Sequence, residues 1–286
     1  MRRYKIVHNT QYCFNGQVRL QPHTLRLRPK EGHELRIESS KLVISPSAVL
    51  RWHQDVEGNS VATATFVENT SILTVQSEIT IQQYNQSPFD FLVADYAVDY
   101  PFHYNNNDSV LLSPYMWVND NESSILTNWI NDIWPSGEAI QTIALLIRLN
   151  QRIYHTLSYQ SREEEGVQSA EQTLSCCSAS CRDSAALFIT AARQLGFAAR
   201  FVSGYMYSYS TSNPQGQSGT THAWAEVFIP GAGWKGFDPS TGNIVGPEHI
   251  PVAVARLPES VPPISGAFHG VLGANMMVNV WVTELN

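Results

Sequence analysis

Ser178-Ala179-Ser180-Cys181-Arg182-Asp183-Ser184-Ala185-Ala186-Leu187-Phe188-Ile189 is the stretch from which the fold can be read. Small residues lead into Cys181, and the apolar run behind it predicts a helix ending near Leu195, with Gly196 as its C-terminal stop. Ala185, Leu187, Phe188, Ile189, Ala191, Ala192 and Leu195 cover most of the circumference, so this helix is expected to be central and buried. Cys181 falls in its first turn, where unpaired N–H groups and the helix dipole favour a negatively charged, nucleophilic thiolate. A cysteine there also packs as a small hydrophobe, so this segment taken alone admits a structural reading.

Downstream, Thr221-His222-Ala223-Trp224-Ala225-Glu226-Val227-Phe228-Ile229 reads as a strand. His222, Trp224 and Glu226 share one face, and Ala223, Ala225 and Val227 the other. The strand follows a polar segment, Ser208 to Thr221, of the kind that borders active sites. A turn at Pro230-Gly231-Ala232-Gly233 sends the chain back as Trp234-Lys235-Gly236-Phe237-Asp238-Pro239, giving a hairpin. Such pairing brings Asp238 level with His222, within reach to hold its tautomer. Each piece has a bland reading by itself, a hydrogen-bonded histidine or an Asp-Pro turn. Together with the thiol they point to Cys181, His222 and Asp238 as a catalytic set. Trp224 is a candidate substrate-binding residue, with aromatic packing against the sheet as the alternative. Glu226 is expected in a salt bridge with Arg182, Arg193 or Arg200.

Upstream the pattern changes period. Tyr4 to Tyr12, Thr24 to Arg28, Leu35 to Ile44, Val61 to Phe66 and Ile72 to Tyr84 alternate apolar and polar residues between turn clusters. Residues 1–112 are therefore expected to form an antiparallel β domain, and 113–138 a linker or short-helix region. Residues 139–286 form the expected core, opening with a helix over Glu138 to Thr156 and a solvated loop from Ser161 to Gly166. The fold class is α+β, with the Cys-bearing helix packed on an antiparallel sheet.

The net charge of −7 and the absence of a Lys/Arg-rich run exclude a nucleic-acid partner held by its phosphates. Met1-Arg2-Arg3-Tyr4-Lys5 starts basic without an apolar run behind it, and no stretch is long and apolar enough to span a bilayer. A soluble cytoplasmic protein with no membrane partner is the expectation. Cys176, Cys177 and Cys181 lie close in sequence, with Cys13 far away, which is no disulfide framework. The vicinal pair and its three-residue gap do not match zinc spacings, so no metal is expected.

These segments resemble the bacterial transglutaminase-like superfamily, related to the papain-type thiol enzymes. Cys181-Arg182-Asp183, Leu195-Gly196-Phe197-Ala198-Ala199-Arg200-Phe201-Val202-Ser203-Gly204-Tyr205, His222-Ala223-Trp224-Ala225-Glu226-Val227 and Gly233-Trp234-Lys235-Gly236-Phe237-Asp238-Pro239 carry the likeness. It extends to His249-Ile250-Pro251-Val252-Ala253-Val254-Ala255-Arg256, to Val261-Pro262-Pro263 and Gly266-Ala267-Phe268-His269-Gly270, and to the family's N-terminal β domain at Tyr4 to Tyr12 and Leu25-Arg26-Leu27-Arg28-Pro29. The resemblance implies a papain/transglutaminase-like core and acyl transfer from a peptide or protein amide through a thioester. Cys181 would be the nucleophile, His222 the base and then acid, and Asp238 the orienter, with no cofactor. The backbone N–H of Cys181 is the natural first oxyanion donor; the second is not readable. The resemblance does not choose between hydrolysis and transfer to an amine, and a non-catalytic scaffold on the same fold is the competing class.

Overall fold

Alternation at a period of two builds the N-terminal third of the computed structural model, which describes residues 1–84, 87–118, 124–162, 164–207 and 219–285. Its strands are β1 (Arg2–Leu20), β2 (His23–Arg28), β3 (Leu35–Ser45), β4 (Ala48–Gln54), β5 (Ser60–Phe66) and β6 (Asn69–Gln83). One antiparallel sheet contains β1-β6-β3 and another β2-β5-β4. In β6 the residues Leu73, Val75, Ser77, Ile79 and Ile81 are all buried, as the alternating pattern requires.

The middle of the chain is a set of short pieces. Strand β7 (Asp99–Tyr100) is followed by helices α1 (Asn106–Met116) and α2 (Ser124–Ile133), and then by β8 (Ile140–Gln141). Helix α2 and the end of α1 occupy the region 113–138, expected to be a linker or short helices. Tyr100 and Asp99 pair with Ile140 and Gln141, so helix α3 (Thr142–Thr156) begins after Gln141 and not at Glu138. The two-residue strand β9 (Ser158–Tyr159), helix α4 (Ala170–Cys176) and strand β10 (Ser178–Ala179) lead to α5 (Cys181–Gln194). No regular element lies between β9 and Ser169, in line with the loop expected there; Glu163 lies outside the described residues. Gly196 follows α5 at a φ of 83°, the left-handed stop expected from the sequence.

The core sheet is antiparallel, in the order β14 (Asn243–Ile244), β13 (Gly233–Asp238), β12 (Thr220–Ile229), β11 (Ala199–Met206), β15 (His249–Ala255). Helix α5 lies across it. Ala223, Ala225 and Val227 of β12 enter the same core as Leu187 and Phe188, and the Phe188 ring stacks on Phe237 at 5.3 Å. The alanines let helix and strand approach closely, and the aromatic pair fills the space beside them. The polar segment 208–218, expected to border the site, lies outside the described residues.

The end of the chain does not stay with the core. Strand β16 (Ile264–Ser265) pairs with β2, while β17 (Phe268–His269) and β18 (Ala274–Leu285) pair with β1. The expected division at residue 139 therefore does not follow the sheets. The reason is apolar: Val280 and Val282 of β18 join Tyr4, Ile6, Ile79, Ile81, Tyr205 and Ile250 in one buried cluster. Asn59 adds a polar clasp, donating to Val254 O at 2.7 Å and accepting from Val254 N at 2.8 Å. Among the described residues no helix is long and apolar enough to cross a membrane.

The start of α5 is fixed by one carboxylate. Asp183, fully buried, takes Ser180 N at 2.9 Å and Ser180 Oγ at 2.7 Å on Oδ2. On Oδ1 it takes Gln168 N at 2.8 Å and Arg162 Nη1 at 2.6 Å. Burial alone would raise this carboxyl group's pKa, but those four donors hold it below the ordinary value. Substituting Asp183→Ala removes the cap and leaves Arg162 without its carboxylate, at a cost of about 3 kcal/mol. Urea unfolding of parent and variant measures it; a change within about 0.5 kcal/mol would show that the cap is dispensable.

Candidate active site

Three elements converge where α5 starts. Cys181 is the first residue of α5, held there by the Ser180/Asp183 capping box. His222 is the third residue of β12, and Asp238 is the last of β13. The hairpin register pairs Ala225 with Phe237, which puts Asp238 beside Trp224 and one step along the same face from His222. The result is a hydrogen bond of 2.8 Å between His222 Nε2 and Asp238 Oδ2. A carboxylate only accepts, so Nε2 carries the hydrogen and Nδ1 is left for the sulfur of Cys181, with which His222 also hydrogen-bonds. The structure thus brings all three expected residues into one chain of contacts.

The electrostatics follow from burial. Removing His222 from water lowers its pKa, but the Asp238 carboxylate and the Cys181 sulfur outweigh that and raise it to about 10. Burial pushes the Asp238 pKa upward; hydrogen bonds from His222, His249 and Ser240 and the positive charge of His222 drive it well below the usual carboxylate range. The favoured state is therefore a protonated imidazole held against the Asp238 carboxylate.

Two residues that sequence reasoning passed over lie at or beside this site. His249, at the start of β15, places Nε2 3.1 Å from the same Asp238 Oδ2. No local signal marks it; only the order β12-β11-β15 brings it near. Tyr159 is the other. It sits on β9, paired with Ala179 just before the thiol, and lines a crevice of about 40 Å³ with Tyr154, Ala179, Ser184, Pro239 and Ser240. Tyr159 is 63% exposed, and partial desolvation of its phenol together with the nearby Asp238 charge raises its pKa.

Trp224 is placed differently from a wall beside the thiol. It is buried and lines a cavity of about 90 Å³ together with Gln83 of β6, Trp234, Gly236 and His249; neither Cys181 nor His222 lines it. Gly204, opposite His222 in the register, makes room: a Cβ there would collide with Ile250 O and the Trp224 ring. Glu226 pairs with Arg200 at 2.7 Å, and that guanidinium lies 4.1 Å from the centre of the Trp234 ring, a structural clamp. Cys176 and Cys177 are exposed free thiols. Cys177 ends α4 in the left-handed conformation, with a φ of 50°.

His222, Asp238 and His249 also offer three ligand atoms within 4.8 Å of one another. A zinc ion needs such atoms to converge on it at about 2 Å with the imidazole nitrogens unprotonated. Here both Nε2 atoms face the same carboxylate oxygen, at 2.8 and 3.1 Å, in hydrogen-bonding geometry.

Comparison with known proteins bears on the whole chain. Residues 4–82 match the bacterial transglutaminase-like N-terminal region, and residues 135–239 match the transglutaminase-like superfamily. An uncharacterized protein of Mycobacterium tuberculosis (strain ATCC 25618 / H37Rv) is 25% identical over 293 residues, covering 93% of this chain and 88% of that one. One from Mycobacterium leprae is 29% identical over 110 residues, 38% of this chain and 39% of that protein. A crystal structure named "Putative Cysteine Protease", from Cytophaga hutchinsonii, has the same fold, with a TM-score of 0.73 at 17% identity over 100% of this chain and 91% of that one. With both family regions present in their order along the chain, the protein belongs to the transglutaminase-like superfamily and carries the bacterial N-terminal region ahead of its core.

Proposed function

We propose that the protein is a thiol enzyme that takes an acyl group from a carboxamide or peptide bond onto Cys181. The observation that carries this reading is His222 held between Asp238 Oδ2 at 2.8 Å and the Cys181 sulfur. A scaffold gains nothing from burying that ion pair, since desolvating charges costs more than apolar packing in the same volume.

The residues supply each step. The Cys181 thiolate adds to the carbonyl carbon while the His222 imidazolium stands ready at Nδ1. The oxyanion forms beside the N–H of Cys181, which as the first helical residue has no intrahelical acceptor. Collapse breaks the C–N bond, and His222 gives its proton to the departing nitrogen. Water or an amine then attacks the thioester, His222 taking the incoming proton, and the C–S bond breaks to return the Cys181 thiolate and release an acid or a new amide. Asp238 keeps Nε2 protonated throughout, so Nδ1 does the proton transfer. The four cysteines are all free thiols, which suits a reducing compartment such as the cytoplasm. The substrate class that fits is a peptide or protein amide, and the chemistry uses no cofactor.

The direct test is ammonia release from glutamine-containing peptides, with and without an added primary amine. Parent protein is expected to release ammonia, and Cys181→Ala to release none. Activity that survives Cys181→Ala would sink the thiol mechanism. At neutral pH, iodoacetamide labelling of Cys181, located by mass spectrometry, is expected to slow by about tenfold or more in His222→Ala, because the thiolate is the species that reacts. Equal rates in a folded variant would favour a scaffold.

The ion pair also has a stability signature. His222 is raised from 6.5 to about 10, so its contribution is complete below 6.5 and is lost as pH rises through about 10. Asp238 is depressed from 3.8, so its contribution holds above that value and is lost only as pH falls below it. The gap in melting temperature between parent and His222→Ala is therefore expected to be widest near about pH 5–6 and to close toward about pH 10. A gap that stays constant over this range would mean that the pair is not ionised.

A further inference from the structure

We infer that His249 is a positioning residue for this site, setting the imidazole of His222 by sharing the Asp238 carboxylate with it. The inference rests on the thiol-enzyme reading above and adds a fourth side chain to it.

Asp238 is saturated by a fixed set of donors. Oδ1 takes Ser240 N at 3.0 Å and Ser240 Oγ at 2.7 Å. Oδ2 takes His222 Nε2 at 2.8 Å and His249 Nε2 at 3.1 Å. Two carboxylate oxygens have about four lone-pair positions, and all are used. The carboxylate therefore cannot rotate without breaking several bonds at once. Serine alone fixes only Oδ1. On Oδ2, His249 takes one lone pair and directs the other at His222, whose ring is thereby aimed at Cys181.

His249 is suited to this because it is itself immobile. It is 2% exposed, and Trp224 packs edge-on against its ring at 5.2 Å and 80°. Its strand is set by pairing with Met206, just past a bulge at Ser203/Gly204 that shifts β15 against β11. Gly246 N lies 3.3 Å from Nδ1, while on the other side Nε2 faces a carboxylate that only accepts, so Nε2 carries a hydrogen and donates it to Asp238. The charged groups around the ring are Asp238 from β13, His222 from β12, and Glu248, whose Oε1 is 3.4 Å from Nδ1. Burial lowers the His249 pKa, but Asp238 and Glu248 outweigh that and raise it above the ordinary value, and the ring donates Nε2–H to the carboxylate in either protonation state.

The test compares His249→Gln, whose amide nitrogen reaches the place of Nε2, with His249→Asn, which is polar but too short. Iodoacetamide labelling of Cys181 is followed from pH 5 to 9 in the full chain, with His222→Ala alongside and melting temperatures for all. His249→Asn is expected to slow labelling at neutral pH by about tenfold and to shift its pH profile, as misorientation of a reacting group does. His249→Gln is expected to restore the parent profile to within about threefold. Equal profiles for Asn, Gln and parent, with His222→Ala slow, overturn the role of His249 and leave the thiol-enzyme reading intact. Equal losses for Asn and Gln show a packing role and overturn it too. If His222→Ala itself labels like the parent, the underlying reading fails and this inference with it.

Discussion

The buried carboxylate of Asp183 is the constraint on which the rest depends. It closes the first turn of the Cys181 helix through Ser180 and ties down the Arg162 guanidinium and the Gln168 backbone that leads into α4. A helix N-terminus has unpaired N–H groups that must be satisfied or exposed. Here a side chain three residues into the helix satisfies the cap, and the N–H groups nearest the thiol remain available to a ligand. Placement of the sulfur is thus a matter of capping, and its chemistry is a matter of what the sheet brings to it.

Asp238 repeats the device on the sheet. Like Asp183 it is fully buried and takes four donors, two from a nearby serine and two from more distant groups. Each aspartate fixes one side of the thiol–imidazole pair, one through a helix and one through a hairpin. Burying a carboxylate is costly, and the cost is met only when every lone pair is used. Both sites meet that condition, which makes them rigid.

What could be read in the sequence was what depends on neighbours within a few residues. The α5 helix has its cap, its apolar faces and its terminal glycine in one continuous run, and the β12–β13 hairpin has its turn between two short strands. Asp238 and His222 could therefore be connected by counting. His249 could not, because it reaches the site only through β11, and nothing in its own segment says which strand it will adjoin. Tyr159 escaped for a similar reason: its strand is two residues long and gains meaning only by pairing with Ser178 and Ala179. Trp224 was readable as a residue on the face of His222, but not as one that Gly204 and Gln83 enclose, since both lie on other strands. The partner of the final strand was hidden too, because alternation gives a strand its buried face but not its neighbour.

The return of that last strand has a consequence for how the protein comes into being. Arg3 pairs with Leu285 and Phe14 with Ala274, so β1 must wait for the distant β18 before its ladder is complete. During synthesis β1 leaves the ribosome some 270 residues ahead of that partner. Pairings so distant in sequence form late, since the chain between them must first be ordered. Tyr4 and Ile6, whose cluster includes Val280 and Val282, are completely covered only at that point. Pairing of β1 with β18, which covers the sheet behind the core, is thus expected among the late events of folding.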